Sequence, residues 1–195
     1  MATRAYHHGN LREELLDRAE TTLAERGLGA LSLRELARDV GVSHAAPRRH
    51  FADRQELLDA LALRGFEHLG VALRDARAAD GPFAERFAAV ASAYVTFATD
   101  HAALLELMFA GKHRAGADAV VAAADRAFAE LFSLVAEGQE RGEIEAGDID
   151  HVAVPLFAGL HGLAALLNGG MLDPARRDEH VAQVADRGLR GVTPR

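Results

Sequence analysis

The chain has no cysteine, a single lysine at Lys112, only five prolines and no run of alternating β-branched residues. Without a thiol there is no disulfide scaffold, no Cys-ligated zinc, no iron–sulfur cluster and no cysteine nucleophile. The missing alternation removes the strand signal, while Ala, Leu, Glu and Arg fill every long segment, so the expected fold class is all-α with about nine helices. The segment from Met1 to His8 lacks an apolar core of signal-peptide length, and the expected location is the cytoplasm.

Chemistry-bearing patterns are also scarce. The ten histidines include no His-x3-His pair backed by carboxylates, so no metal site is expected. Ser92 and Ser133 sit in no nucleophile elbow, no Gly-rich phosphate loop exists, and neither an enzyme nor a cofactor is expected. The stretch from Val152 to Leu172 is apolar enough to suggest a membrane span, but it contains Pro155, His161, Asn168 and four glycines, which favours a buried helix.

What the chain does have is ordinary globular composition, 49% apolar and 26% charged over 195 residues, which excludes a disordered chain or a fibre. Its net charge of −7 argues against coating nucleic acid by bulk electrostatics. The charge is uneven, however. Residues 1–54 carry nine arginines against eight acids, and between Ser43 and Arg54 three arginines and two histidines face one acid. A small basic face on an acidic chain suits a local phosphate contact.

Periodicity sets the order of elements. A first helix is expected from Asn10, its cap, to about Arg26, with Leu11, Leu15, Leu16, Ala19 and Leu23 on one stripe and Gly27 as its stop. Ser32 and Glu35 have the spacing of a capping box for a second short helix, with Leu33, Leu36, Ala37 and Val40 inward and Gly41 as its end. Ser43 then caps a third helix through His50, and Asp53 caps a fourth running to about Arg77. Composition shifts after Gly81-Pro82, where Phe83, Phe87, Val90, Ala91, Tyr94 and Phe97 begin a new apolar stripe. Further helices are expected at about 101–110, 118–141, 148–168 and 174–189, and the domains divide as 1–70 and 71–195.

Two short helices joined by a Gly turn, Leu33 through Ser43 and onward, have the spacing of a helix-turn-helix. Ala37 is small enough for close helix packing, Gly41 supplies the turn, and Val40 and Val42 fill the gap between the helices. The third helix would present His44, Arg48 and Arg49 to a major groove, while Ser32, Ser43 and Arg54 at helix starts could hold phosphates. Helical bundles that never meet DNA contain the same pattern, so spacing alone leaves both readings open.

The flanking residues add specificity. The segment from Tyr6-His7-His8-Gly9-Asn10-Leu11-Arg12 through Ser43-His44-Ala45-Ala46-Pro47-Arg48-Arg49-His50-Phe51-Ala52-Asp53-Arg54-Gln55-Glu56-Leu57-Leu58 closely resembles the N-terminal domain of TetR-family transcriptional regulators. The resemblance implies a three-helix DNA-binding head, a helical body and a homodimer that reads a palindrome in double-stranded operator DNA. It implies a recognition helix from Ser43 to His50, with His44, Ala46, Arg48 and Arg49 nearest the DNA, Arg34 and His50 beside them, and His50-Phe51 as the closing pair. Two positions depart from the family pattern: Arg48 stands where Tyr is common and Arg54 where Lys is common. Arg keeps a phosphate partner at either site and adds bidentate guanine reading, so an operator does not transfer by analogy.

Leu160-His161-Gly162 resembles the Trp-His-Gly element of one C-terminal domain type in that family, with Leu160 in place of Trp. The resemblance implies that the last two long helices pair with those of a second subunit, where Ala158, Gly159, Gly162, Ala164 and Ala165 would allow close approach. A small-molecule effector would lie among Phe66, Phe87, Tyr94, Phe97, Met108, Phe128, Phe132, Phe157 and His161, although each of these is also an ordinary core residue. With only Lys112 between Arg86 and Arg114, no cationic clamp is evident in that stretch, and an apolar effector is expected. The function expected is a ligand-responsive repressor; the alternative is a helical small-molecule binding or sequestering protein without DNA affinity.

Overall fold

The computed structural model describes residues 11–193, so the Asn10 cap and the arm from Tyr6 to Gly9 lie outside the described residues. Among those residues there are eight α-helices, three short 3-10 turns and no strand. The helices are α1 (Leu11–Arg26), α2 (Leu33–Val40), α3 (Arg54–Arg77), α4 (Phe83–Asp100), α5 (Ala102–Lys112), α6 (Asp118–Glu140), α7 (Ile149–Asn168) and α8 (Arg177–Val192). The all-α expectation holds, and most boundaries fall within a residue or two of those set by periodicity and by the Gly and Pro stops.

The third expected helix is corrected. Ser43 to His50 is not an α-helix: only Pro47–Arg49 forms a 3-10 turn. A helix capped at Ser43 would need the Pro47 N–H to donate to the Ser43 carbonyl as its first bond, and proline has no N–H. The Ser43 carbonyl instead accepts from Ala46 at 2.9 Å, and the helical geometry restarts with Pro47 in a first-turn position, where proline is tolerated. The expected start of the last helix at Pro174 is likewise a 3-10 turn, Pro174–Arg176, preceding α8.

Capping is corrected as well. Ser32 occupies the cap position of α2 with extended backbone, but its side chain makes no cap bond, so the Ser32–Glu35 box does not close. A reciprocal pair does form one helix later. The Glu56 amide donates to Asp53 Oδ1 at 2.9 Å while Glu56 Oε2 accepts from the Ala52 amide at 2.6 Å, anchoring the start of α3.

The described residues fall into two compact units. One comprises the residues up to Gly65 together with Ala103–Val120. Its core gathers Leu15, Leu16, Ala19 and Leu23 of α1, Leu36 and Ala37 of α2, Phe51, and Leu57 and Leu61 of α3, all at most 2% exposed. Burying a side chain of this kind contributes roughly 1.5–3 kcal/mol. The other unit comprises Phe66–Ala102 and the residues from Val121 onward. There α4, α7 and α8 pack on one another through Val90, Ala91, Val95, Leu160, Ala164 and Val181.

Among the described residues one helix, α7, is long and apolar enough to cross a membrane. Its Val152, Leu156, Leu160, Leu163 and Leu167 are buried in the unit's core, as the sequence reading expected of a core helix.

Two glycines make contrasting predictions. Gly41 ends α2 at φ +80° with open space around it, so Gly41→Ala should cost only the left-handed backbone term, about 1–2 kcal/mol. Gly138 has ordinary helical backbone, but a Cβ there would meet Phe83 Cδ2 at 2.6 Å and Ile144 Cδ1 at 3.2 Å, so Gly138→Ala should lose about 1–3 kcal/mol through overpacking. Urea unfolding followed by circular dichroism measures both; a neutral Gly138→Ala would refute the packing argument.

Candidate nucleic-acid interface and aromatic cluster

The helix-turn-helix begins with α1, which fixes α2: Arg18 donates from Nε and Nη2 to Asp39 Oδ2 at 3.0 and 2.9 Å. That pairing holds the Asp39 carboxyl below its usual range. Leu36 and Ala37 turn inward against the core, while Leu33, Val40 and Val42 are half-buried. Gly41 then reverses the chain, its turn closed by the Val42 amide donating to the Ala37 carbonyl at 2.9 Å. Pro47 is buried and pins the 3-10 turn, so Arg48 and Arg49 are carried outward on adjacent positions.

Five of the residues expected to meet DNA line one cleft of about 560 Å³: Ser32, Arg34, His44, Arg48 and Arg54. Ser43 and Arg49 are exposed beside them, and Ala46 and His50 are half-buried. The state of the guanidiniums distinguishes them. Arg54 is committed to the protein, with Nε donating to the Leu31 carbonyl at 2.9 Å and Nη2 to the Leu28 carbonyl at 2.6 Å. It therefore ties α3 to the 3-10 turn Leu28–Ala30, a structural role the sequence reading did not assign to it. Arg12 lies over the Phe51 ring at 5.4 Å, and Arg64 pairs with Asp17. Among the described residues Arg34, Arg48 and Arg49 are exposed and enter no ion pair. A guanidinium cannot discharge itself, so these three stand as exposed positive forks suited to phosphate oxygens and guanine edges.

In the second unit the structure draws together five of the residues expected to form an effector site. Phe128 meets Phe66 at a centroid distance of 6.4 Å, Tyr94 at 6.5 Å and Phe157 at 4.8 Å, and Phe157 stacks on His161 at 5.6 Å. The Tyr94 hydroxyl and His161 Nδ1 share a hydrogen bond of 2.7 Å. Others of the set lie elsewhere. Phe87 stacks on Phe83 at 5.9 Å, Phe97 is paired with His101 at 4.9 Å, and Phe132 is half-buried one turn beyond Phe128. Met108 belongs to the other unit, where Gly65 leaves room for its sulfur.

Burial raises the Tyr94 hydroxyl above its ordinary pKa and lowers that of His161, so both groups are neutral in the folded protein near pH 7. Because the folded His161 binds its proton less readily than the unfolded one, its contribution is complete above about pH 6.5 and is lost as pH falls through the lower folded value. Thermal melts at about pH 7.5 and about pH 5 should show a larger acid loss for the parent protein than for His161→Gln. Equal losses would show that His161 carries no proton linkage.

The comparisons agree with this architecture. The model of the Tetracyclin repressor-like C-terminal domain matches residues 87–192, and that of the bacterial regulatory proteins of the tetR family matches residues 15–61. A solved structure of a protein of unknown function from Rhodococcus sp. RHA1 is 48% identical, with a TM-score of 0.91, covering 98% of this chain and 100% of that one. The TetR-family transcriptional regulator PfmR from Thermus thermophilus shares the fold at 22% identity and a TM-score of 0.72, covering 90% of this chain and 97% of that one. The HTH-type transcriptional repressor KstR2 of Mycobacterium tuberculosis is 44% identical over 55 residues, 28% of this chain and 27% of that protein, so the match spans about a quarter of the relative's length.

Proposed function

This chain belongs to the TetR family of bacterial regulatory proteins, which are DNA-binding transcriptional regulators, and we propose that it is a cytoplasmic repressor released from its operator by a small apolar molecule. The observation that carries this reading is the set of exposed arginines Arg34, Arg48 and Arg49, which enter no ion pair among the described residues of an otherwise acidic protein whose other described head arginines are mostly paired. In this reading residues 1–70 serve as the DNA-binding domain and 71–195 as the effector and dimerisation domain, with Ala103–Val120 belonging to the compact unit of the head. Arg48 and Arg49 enter the groove, His44, Ala46 and His50 approach the bases and backbone around them, and Ser32, Arg34 and Ser43 flank the phosphates, with Arg54 holding the start of α3 behind them. A sequestering protein without DNA affinity would have no use for three uncompensated guanidiniums on one face.

The dimer would form on α7, where Val154 at 50% and Leu166 at 40% exposure lie on the same helical stripe as Ala158, Gly162 and Ala165. Two heads then meet half-sites about 34–36 Å apart, one turn of DNA. The effector acts by binding one arrangement of the heads better than another, with a coupling of about 1–3 kcal/mol. The aromatic cluster of Phe66, Tyr94, Phe128, Phe157 and His161 is where an apolar effector would be received.

Two variants test the reading. Arg48→Ala/Arg49→Ala should abolish the specific complex with DNA from upstream of its own gene, leave helicity and subunit association unchanged, and flatten the salt dependence by about 0.9 log units per lost phosphate contact. Retained operator affinity in mobility-shift titrations would overturn the docking. Val154→Glu/Leu166→Glu should yield monomers in sedimentation equilibrium, and a persistent dimer would place the interface elsewhere.

A further inference from the structure

Four arginines that are scattered in the sequence come together at one edge of the second unit. Arg74 and Arg77 at the end of α3, Arg86 in α4 and Arg141 just after α6 line a cleft of about 260 Å³, shared with Glu137 and Asp80. Its floor is built and its rim is not yet spent. Glu137 accepts from Arg77 Nη1 at 2.8 Å and from Arg86 Nη2, and Arg86 is only 8% exposed. The Arg86 hydrogen bond and the neighbouring guanidiniums keep the Glu137 carboxyl below its usual range, so it stays ionised as the anchor of both.

Arg74 and Arg141 are committed differently. Among the described residues Arg74 donates from Nε alone, to Glu130 Oε1 at 3.1 Å, and its terminal nitrogens make no hydrogen bond there, while Glu130 Oε2 also pairs with Arg77 Nε at 3.1 Å. Arg141 approaches Glu143 Oε1 no closer than 3.8 Å, while Glu143 Oε2 accepts from the Phe83 amide at the start of α4. Both side chains are more than half exposed. The buried Arg86 and the half-buried Arg77 thus sit beside two exposed guanidiniums, and the lining holds four positive groups against the carboxylates of Glu137 and Asp80, with Glu130 pairing Arg74 and Arg77 from outside it.

We propose that this cleft binds a phosphoryl group, either inorganic phosphate or the phosphate of a small phosphomonoester, with Arg74 and Arg141 closing on it and Arg77 and Arg86 behind them. A carboxylate presents two oxygens in one plane, and at Glu137 two forks already occupy both; forks arriving from three separate elements match the tetrahedral array of phosphate oxygens. The site is independent of the DNA-binding reading, because it uses no residue of the helix-turn-helix.

Isothermal titration of the full-length protein, without DNA and at constant ionic strength, tests it with three probes: inorganic phosphate, glycerol phosphate and succinate. Saturable binding of one phosphate per chain is expected, weakened at least tenfold in Arg74→Gln/Arg141→Gln and strengthened in Asp80→Asn, with no saturation by succinate. Preference for glycerol phosphate over inorganic phosphate would identify an organic phosphate as the ligand, and the reverse order would identify the free anion; either supports the site. Absence of saturation with both phosphates, unchanged affinity in the double variant, or equal binding of succinate would overturn it. The exposed positions of Arg74 and Arg141 should leave the melting temperature unchanged, and if the double variant melts early the Asp80→Asn comparison still decides.

Discussion

An arginine cannot lose its charge, so each guanidinium in this protein is either answered by a carboxylate or carbonyl or left facing water. With 21 arginines and one lysine, the chain relies almost wholly on that fork for positive charge. Arg18 fixes α2 to α1 through Asp39, Arg54 closes the start of α3 on two carbonyls, and Arg77 and Arg86 converge on Glu137. Exposed pairs of this type contribute little stability, roughly 0–1 kcal/mol each, so their main effect is geometric. They fix which surface keeps its charge. Among the described residues Arg34, Arg48 and Arg49 enter no ion pair, while Asp39 is held by Arg18, and Asp53 and Glu56 form the cap of α3.

The helix-turn-helix shows how one residue redirects a local pattern. Ser43 has the right chemistry to cap a helix, but Pro47 removes the amide that such a helix would use first. The chain responds by placing Pro47 where its fixed φ and missing N–H cost nothing, inside a 3-10 turn whose side chains repeat every three residues. Arg48 and Arg49 therefore project from a short, Pro-anchored corner. This corner is stiffer than a frayed helix end, and it presents two adjacent forks at the point where the chain bends toward Phe51.

Local signals made much of this readable in the sequence. The 24-residue span of α3, the start of α4 behind Pro82 and the stop of α2 at Gly41 all follow from periodicity and backbone restriction within a few residues. Two kinds of feature were not readable. Whether a capping box closes depends on side-chain rotamers set by neighbours: Ser32–Glu35 and Asp53–Glu56 have identical spacing, and only the second forms. Clusters built across long separations leave no sequence pattern. Arg77 and Glu137 lie sixty positions apart, and the stretch between Arg86 and Arg114 gives no sign of an arginine group that lies mostly outside that interval. The aromatic positions suffered a related ambiguity, since a Phe at helical spacing reads the same in a core as in a ligand cluster, and only ring contacts separate Phe128 and Phe157 from Phe87 and Phe97.

The acidic balance of the whole chain sharpens the role of these few uncompensated charges. A protein of net charge −7 is repelled by DNA at long range, and at physiological ionic strength that repulsion is screened beyond about 8 Å. On the proposed docking, approach succeeds where a positive surface comes within that distance, the face bearing Arg34, Arg48 and Arg49. Non-specific attachment by other faces is suppressed by the same net negative charge. Because few phosphates can be neutralised at once, the gain from counterion release is small and base-edge contacts must supply a larger share of the binding free energy. An acidic regulator with a sparse arginine face thus trades overall DNA affinity for discrimination, and its response to a ligand needs to perturb only those few contacts.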